Sequence, residues 1–134
     1  MITPFIIGII LTVGLLSISW ATGLYRERGV YAVTLIAIAF FYIVFALEHG
    51  STAVIFSNIL IAGLFVGLAL FGYMRSLKLV AFGLILHGIF DGIYAFSFTN
   101  PSPEWWAPFC FAVDIALGGF LLVIIKRSKI ANKA

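Results

Sequence analysis

The sequence predicts an all-α integral membrane protein: a single bundle of five transmembrane helices, N-terminus outside and C-terminus cytoplasmic. Three observations lead there. The 134 residues are 63% hydrophobic and only 10% charged, whereas a soluble domain carries about 25% charged residues. A mean hydropathy of +1.20 leaves too little polar surface to keep a globule in water. Five apolar runs, at about 3–22, 30–48, 53–73, 79–98 and 105–125, each approach the ~20 residues that cross a ~30 Å hydrocarbon core. The basic residues then set the topology. Arg26 and Arg28 follow the first run, Arg75 and Lys78 the third, and Lys126, Arg127, Lys129 and Lys133 the fifth. With five spans all of them fall on one side, which the positive-inside rule places in the cytoplasm. Four or six spans would scatter them over both sides.

Each run carries its own signals. The first lacks a leading Lys or Arg and an A-x-A site, so it reads as a span and not as a cleaved signal peptide. Thr12, near its middle, is expected to bond its own helix backbone. In the second run Tyr42 reads as a packing aromatic, and Glu48 and His49 close the run at its outer end. The third places Asn58 about two turns in and carries a G-x-x-x-G step, Gly63 and Gly67. The fourth carries a second such step, Gly88 and Gly92, and Tyr94 as a further packing aromatic. Small residues four apart let helix backbones approach, so spans three and four are expected to pack as a hairpin through these steps.

In the fifth run Trp105 and Trp106 read as interfacial anchors. Ser102 and Pro103 read as a cap and first helical residue, and Pro108 as a kink. The tail, "KRSKIANKA", is expected to fray. The connections are short, so residues 1–134 form a single membrane domain with no soluble part. The net charge of +3 comes from clusters beside apolar runs. Topology explains it, and the lipid bilayer rather than nucleic acid is the expected partner. Cys110 is the sole cysteine, so there is no intrachain disulfide.

Chemistry concentrates in the last two runs. At 1.5 Å per residue, His87 lies about 12 Å and Asp91 about 18 Å from the cytoplasmic end of span four. On span five, Cys110 and Asp114 lie about 8 Å and about 14 Å below the outer end. These four side chains therefore share one layer. Each pair is four residues apart and so shares a helix face. A charged Asp at a helix centre costs about 2.5–3.5 kcal/mol, while an apolar residue returns about 0.3–0.6 kcal/mol. The aspartates must avoid lipid. They are protonated, paired with His87, or hold a cation. His87, Asp91 and Asp114 are thus the candidate proton-relay or solute-binding set. His87, Asp91, Cys110 and Asp114 are a candidate ligand set for a divalent metal such as zinc. Glu48, His49, Asn58 and Tyr94 are candidate supporting groups.

"HGIFD", "PEWWAPFC" and "CFAVD" together resemble an uncharacterised family of small bacterial multi-pass membrane proteins. The shared pattern is H-x-x-x-D, then P-x-W-x-x-x-x-C-x-x-x-D. Its positions here are His87, Asp91, Pro103, Trp105, Cys110 and Asp114. Phe90 stands where the family tends to carry Trp, and Tyr94 and Ala95 where it carries further histidine. The resemblance implies a bacterial inner-membrane protein with these residues in one site. It implies no activity.

Three functions compete. A proton-coupled carrier or channel-like module would use chains of Asp and His, and a five-span chain would need a homo-oligomer or a larger membrane complex to form a path. An intramembrane enzyme on a lipid or isoprenoid would use His87 as general base with metal assistance. No H-E-x-x-H, G-x-S-x-G or phosphate loop supports it. A non-catalytic subunit or assembly factor would use the polar layer to join helices. The first is the leading expectation.

Overall fold

The computed structural model describes residues 2–96 and 102–133, with His49 described through its backbone alone. Residues 99–101 of the predicted fourth connection, and the end of the predicted fourth span at Ser97 and Phe98, lie outside the described residues. The chain is all-α: α1 Ile2–Thr22, a 3-10 turn Leu24–Arg26, α2 Arg28–His49, α3 Thr52–Arg75, α4 Leu77–Tyr94 and α5 Trp106–Lys126. Each of the five α-helices is long and apolar enough to cross a membrane. They match the five expected spans within a few residues.

The helices form a bundle rather than a row. α4 packs on α5, α3 and α2, and α2 packs on α3. Among the described residues α1 touches only α5 and the 3-10 turn, and it buries only Gly8 and Thr12. At Gly8 a Cβ would stand 2.7 Å from the Phe109 carbonyl oxygen, so the missing side chain is what lets α1 lie on α5. Thr12 donates to the Gly8 carbonyl at 2.7 Å, the local bond expected of a lone membrane threonine.

The glycine steps work differently from expectation. Gly63 and Gly67 are exposed, and a Cβ on either would meet nothing within 4 Å. Gly88 faces Asp114 and Ile115, and Gly92 faces Phe111, so the second step seats α5 and not α3. α3 and α4 do pack, but through Gly72 and Gly83. Added Cβ atoms there would lie 2.9 Å from Val80 Cγ2 and 3.0 Å from Leu68 Cδ2. A G-x-x-x-G pattern marks a groove on a helix. It carries no information about which neighbour fills it.

The start of α5 also shifts. Trp105 is the N-cap residue, without a side-chain cap, so Ser102 and Pro103 precede the helix. The Pro103 carbonyl accepts from Trp106 N–H at 3.1 Å. Pro108 then falls in the first turn, where an N–H has no intrahelical partner to lose, and no kink is required. Trp106 is buried, with its ring centroid 5.0 Å from those of both Phe41 and Phe45 on α2. Only Trp105 stays on the surface as an anchor would.

The tail is not frayed. Asn132 accepts from Leu77 N–H at 2.7 Å through its carbonyl, and its Oδ1 accepts from Lys78 N–H at 2.9 Å and the Ser76 hydroxyl at 3.2 Å. It therefore supplies the N-terminal cap that Ser76 does not provide for α4. Arg28 donates to the carbonyls of Ala131 and Asn132 at 2.9 and 3.0 Å, and Ile130 is buried. These bonds bring the first connection, the third connection and the C-terminus together at one end of the bundle, the basic end. Replacing Asn132 by alanine is expected to cost about 1 kcal/mol of stability, the usual worth of a cap, read by thermal unfolding in detergent. A frayed tail would show no change.

Candidate functional site

His87 and Asp91 lie one turn apart on α4 and face α5. His87 sits about 15 Å from the Leu77 end of the helix and about 10 Å from its Tyr94 end. Gly88 lies on the same face. Its missing side chain lets Asp114 approach, with the Asp114 Cβ 3.1 Å from where a Gly88 Cβ would stand. His87 Nδ1 lies 2.8 Å from Asp114 Oδ2 and 3.3 Å from Asp91 Oδ2. The three side chains are at most 1% exposed. One donor atom from each lies within 4.8 Å of the others. Among the described residues these are the ones that could together hold a metal ion; Cys110 is not among them. Cys110 is buried in a small apolar cluster with Tyr42 and Trp106.

Tyr42, read from sequence as a packing aromatic, belongs to the site. Its hydroxyl donates to Asp91 Oδ1 at 2.6 Å across the α2–α4 interface. Its depth was the available signal: Tyr42 lies about 10 Å from the end of α2, at the level of His87 and Asp91. Asn58 is buried and donates both to the Val54 carbonyl at 2.8 Å and to the Tyr94 hydroxyl at 3.1 Å. The Tyr94 ring in turn meets Tyr42 edge-on, centroids 5.4 Å apart. Tyr94 is thus a polar link rather than packing alone. Phe65 of α3 closes over the imidazole, edge-on at 4.7 Å. Glu48 is exposed at the end of α2, and the His49 side chain lies outside the described residues.

Charge balance limits what the cluster can hold. Two carboxylates and an imidazolium carry a net charge of −1, and burying an unbalanced charge is costly. The single Nδ1–H bond of His87 is taken by Asp114. Asp91 Oδ2 lies within ion-pair range of Nδ1 but has no hydrogen bond, and neither has Asp114 Oδ1. Two buried carboxylate oxygens are therefore left without a hydrogen-bond partner among the described residues. Neutrality is reached in two ways: one further proton with an imidazolium, or a divalent cation with a neutral imidazole.

No protein-family model, curated protein or solved structure matches the chain. The family that the C-terminal motif resembles is not shown by these comparisons. What stands is a multi-pass membrane protein with a buried His–Asp–Asp cluster.

Proposed function

We propose that the protein is a proton-coupled carrier or channel-like module whose exchangeable proton resides on His87, Asp91 and Asp114. The observation that carries this reading is the pair of unpartnered carboxylate oxygens beside a shared imidazole. Such a cluster gains one proton to become neutral and releases it when water or a partner group reaches it. Tyr42 holds Asp91 in place between exchanges. In this reading the basic end faces the cytoplasm of a bacterial cell and the N-terminus lies outside. α1, with only Gly8 and Thr12 buried, leaves faces for lipid or for a second copy that completes a path.

Proton flux into proteoliposomes under a potassium diffusion potential tests the proposal, followed with an enclosed pH dye. The wild-type protein should exceed empty vesicles, and Asp91→Asn should reduce that excess at least tenfold. Flux that is unchanged by both Asp91→Asn and Asp114→Asn would remove the cluster from the path.

A second reading is a divalent metal centre, favoured by the three converging donors. Ligands of a tetrahedral zinc at about 2.1 Å stand roughly 3.4 Å apart. The His87–Asp91 separation of 3.3 Å fits that spacing, while the His87–Asp114 separation of 2.8 Å is a hydrogen-bond length. The geometry thus favours the proton form. Elemental analysis of detergent-purified protein decides between them: stoichiometric metal lost in Asp114→Asn supports a metal centre and the metal-assisted enzyme.

A further inference from the structure

The polar and apolar parts of the interior are segregated along the bundle axis. Among the described residues the buried polar side chains are Thr12, Asn58, His87, Asp91 and Asp114. Thr12 is at mid-depth and bonded to its own backbone. The other four lie toward the end opposite the basic connections. Asp91 is about 5 Å, Asn58 about 9 Å and Asp114 about 12 Å from that end of their helices. Leu35, Val80, Leu84 and Leu121 fill the other half of the interior, each fully buried. The buried tyrosines of that half, Tyr25 and Tyr31, sit by the basic end, where Tyr31 donates to the Tyr25 carbonyl at 2.8 Å.

Two cavities lie beside the cluster, one toward each end, and neither is lined by His87, Asp91 or Asp114. A cavity of about 240 Å³ between α1, α2 and α5 reaches Val113 and Leu117 but none of His87, Asp91 or Asp114. A second, of about 370 Å³, opens between α1, α4 and α5 beside Gly92, the residue next to Asp91. Tyr42 from α2 and Asn58 from α3 lie at the level of the cluster, while Tyr94 from α4 and Cys110 from α5 lie nearer the opposite end than His87 and Asp114 do.

We infer that the His87–Asp91–Asp114 cluster communicates with the face opposite the basic connections, with the Tyr42 hydroxyl as its gate. The aliphatic plug of Leu35, Val80, Leu84 and Leu121 closes it to the basic face. What is exchanged rests on the proton reading above, but the sidedness follows from the packing. Proton delivery from the basic face requires α4 and α5 to separate along the plug. Delivery from the other face covers only the last turn of α4, about 5 Å, past the aromatic cluster of Tyr42 and Trp106, and reaches Asp91 Oδ1 when Tyr42 releases it.

Labelling of single cysteines in proteoliposomes tests this without any flux. Native Cys110 is changed to serine, and cysteine is placed singly at Asp91, Tyr42, Leu84, Leu121 and, to mark the basic face, Lys133. A small membrane-impermeant thiosulfonate is added to one side at a time. Asp91→Cys and Tyr42→Cys should react only from the face opposite Lys133→Cys, at least tenfold faster than Leu84→Cys and Leu121→Cys. Reaction of Asp91→Cys from the basic face, equal reaction of Leu84→Cys, or silence of Asp91→Cys from both faces would overturn the inference. Should Asp91→Cys fail to fold, Tyr42→Ala with the native Cys110 takes its place. Its labelling should accelerate from the opposite face alone, and unchanged labelling counts against the gate. A protein that labels with this sidedness but carries no proton flux would retain the gate and lose the proton reading.

Discussion

His87→Leu is expected to destabilise the bundle by about 3–5 kcal/mol, the cost of removing one partner from a buried charged group. Among the described residues the imidazole is the one basic group in the buried set that includes Asp91 and Asp114, and both carboxyl groups are fully enclosed. Without it the two carboxyl groups face each other with no shared donor and must both be neutralised to stay buried. The triple variant His87→Leu, Asp91→Asn, Asp114→Asn removes the charge problem as well as the imidazole. It is expected to recover more than half of the loss. Polar contacts between membrane helices average only about 0.6 kcal/mol, so losing bonds alone would make the triple variant the worst of the set. Reversible unfolding in mixed micelles distinguishes the outcomes. A triple variant less stable than His87→Leu would show that hydrogen bonds, and not charge, hold the cluster together.

The second large effect changes no polar atom. Gly118 lies on α5 against α4, where a Cβ would stand 2.7 Å from Ile85 Cγ1 and 3.0 Å from the Ala81 carbonyl oxygen. The isoleucine can turn, but the carbonyl is helix backbone and moves only with α4. Gly118→Val should therefore wedge α4 from α5, at the overpacking cost of about 1–3 kcal/mol. It should also lengthen the 2.8 Å His87–Asp114 bond, which is made across that same interface. Proton flux should fall with it. Gly67→Val is the control: Gly67 is exposed and a Cβ there meets nothing within 4 Å, so its stability should change by less than about 0.5 kcal/mol. Equal losses in the two variants would mean that the close approach of α4 and α5 is not what builds the cluster.

These predictions separate what a one-dimensional pattern can carry from what it cannot. Depth along a helix is a linear property, and it was legible. Residues at matched distances from the ends of antiparallel spans share a layer, and that arithmetic groups His87, Asp91 and Asp114 without reference to any contact. The same arithmetic reaches Tyr42, but its aromatic ring has an ordinary packing role in an oily bundle. Nothing local distinguishes a hydroxyl that bonds Asp91 from one that does not. Cys110 shows the reverse. It shares a face and nearly a layer with Asp114, yet it packs with Tyr42 and Trp106, because position around a helix axis depends on where the neighbours stand.

Composition and the spacing of apolar runs by themselves determined the all-α class, the number of helices long enough to span a bilayer, and the gathering of basic residues at one end. Each follows from transfer of a segment into lipid, which depends on that segment alone. Partner choice was decided only in three dimensions. Gly88 seats α5 rather than α3, Trp106 turns inward, and Asn132 returns from the tail to cap α4. Lipid is as apolar as the helix surfaces it bathes, so hydropathy is blind to which surfaces meet. Shape and the satisfaction of polar groups make that selection, and both are properties of the assembled bundle.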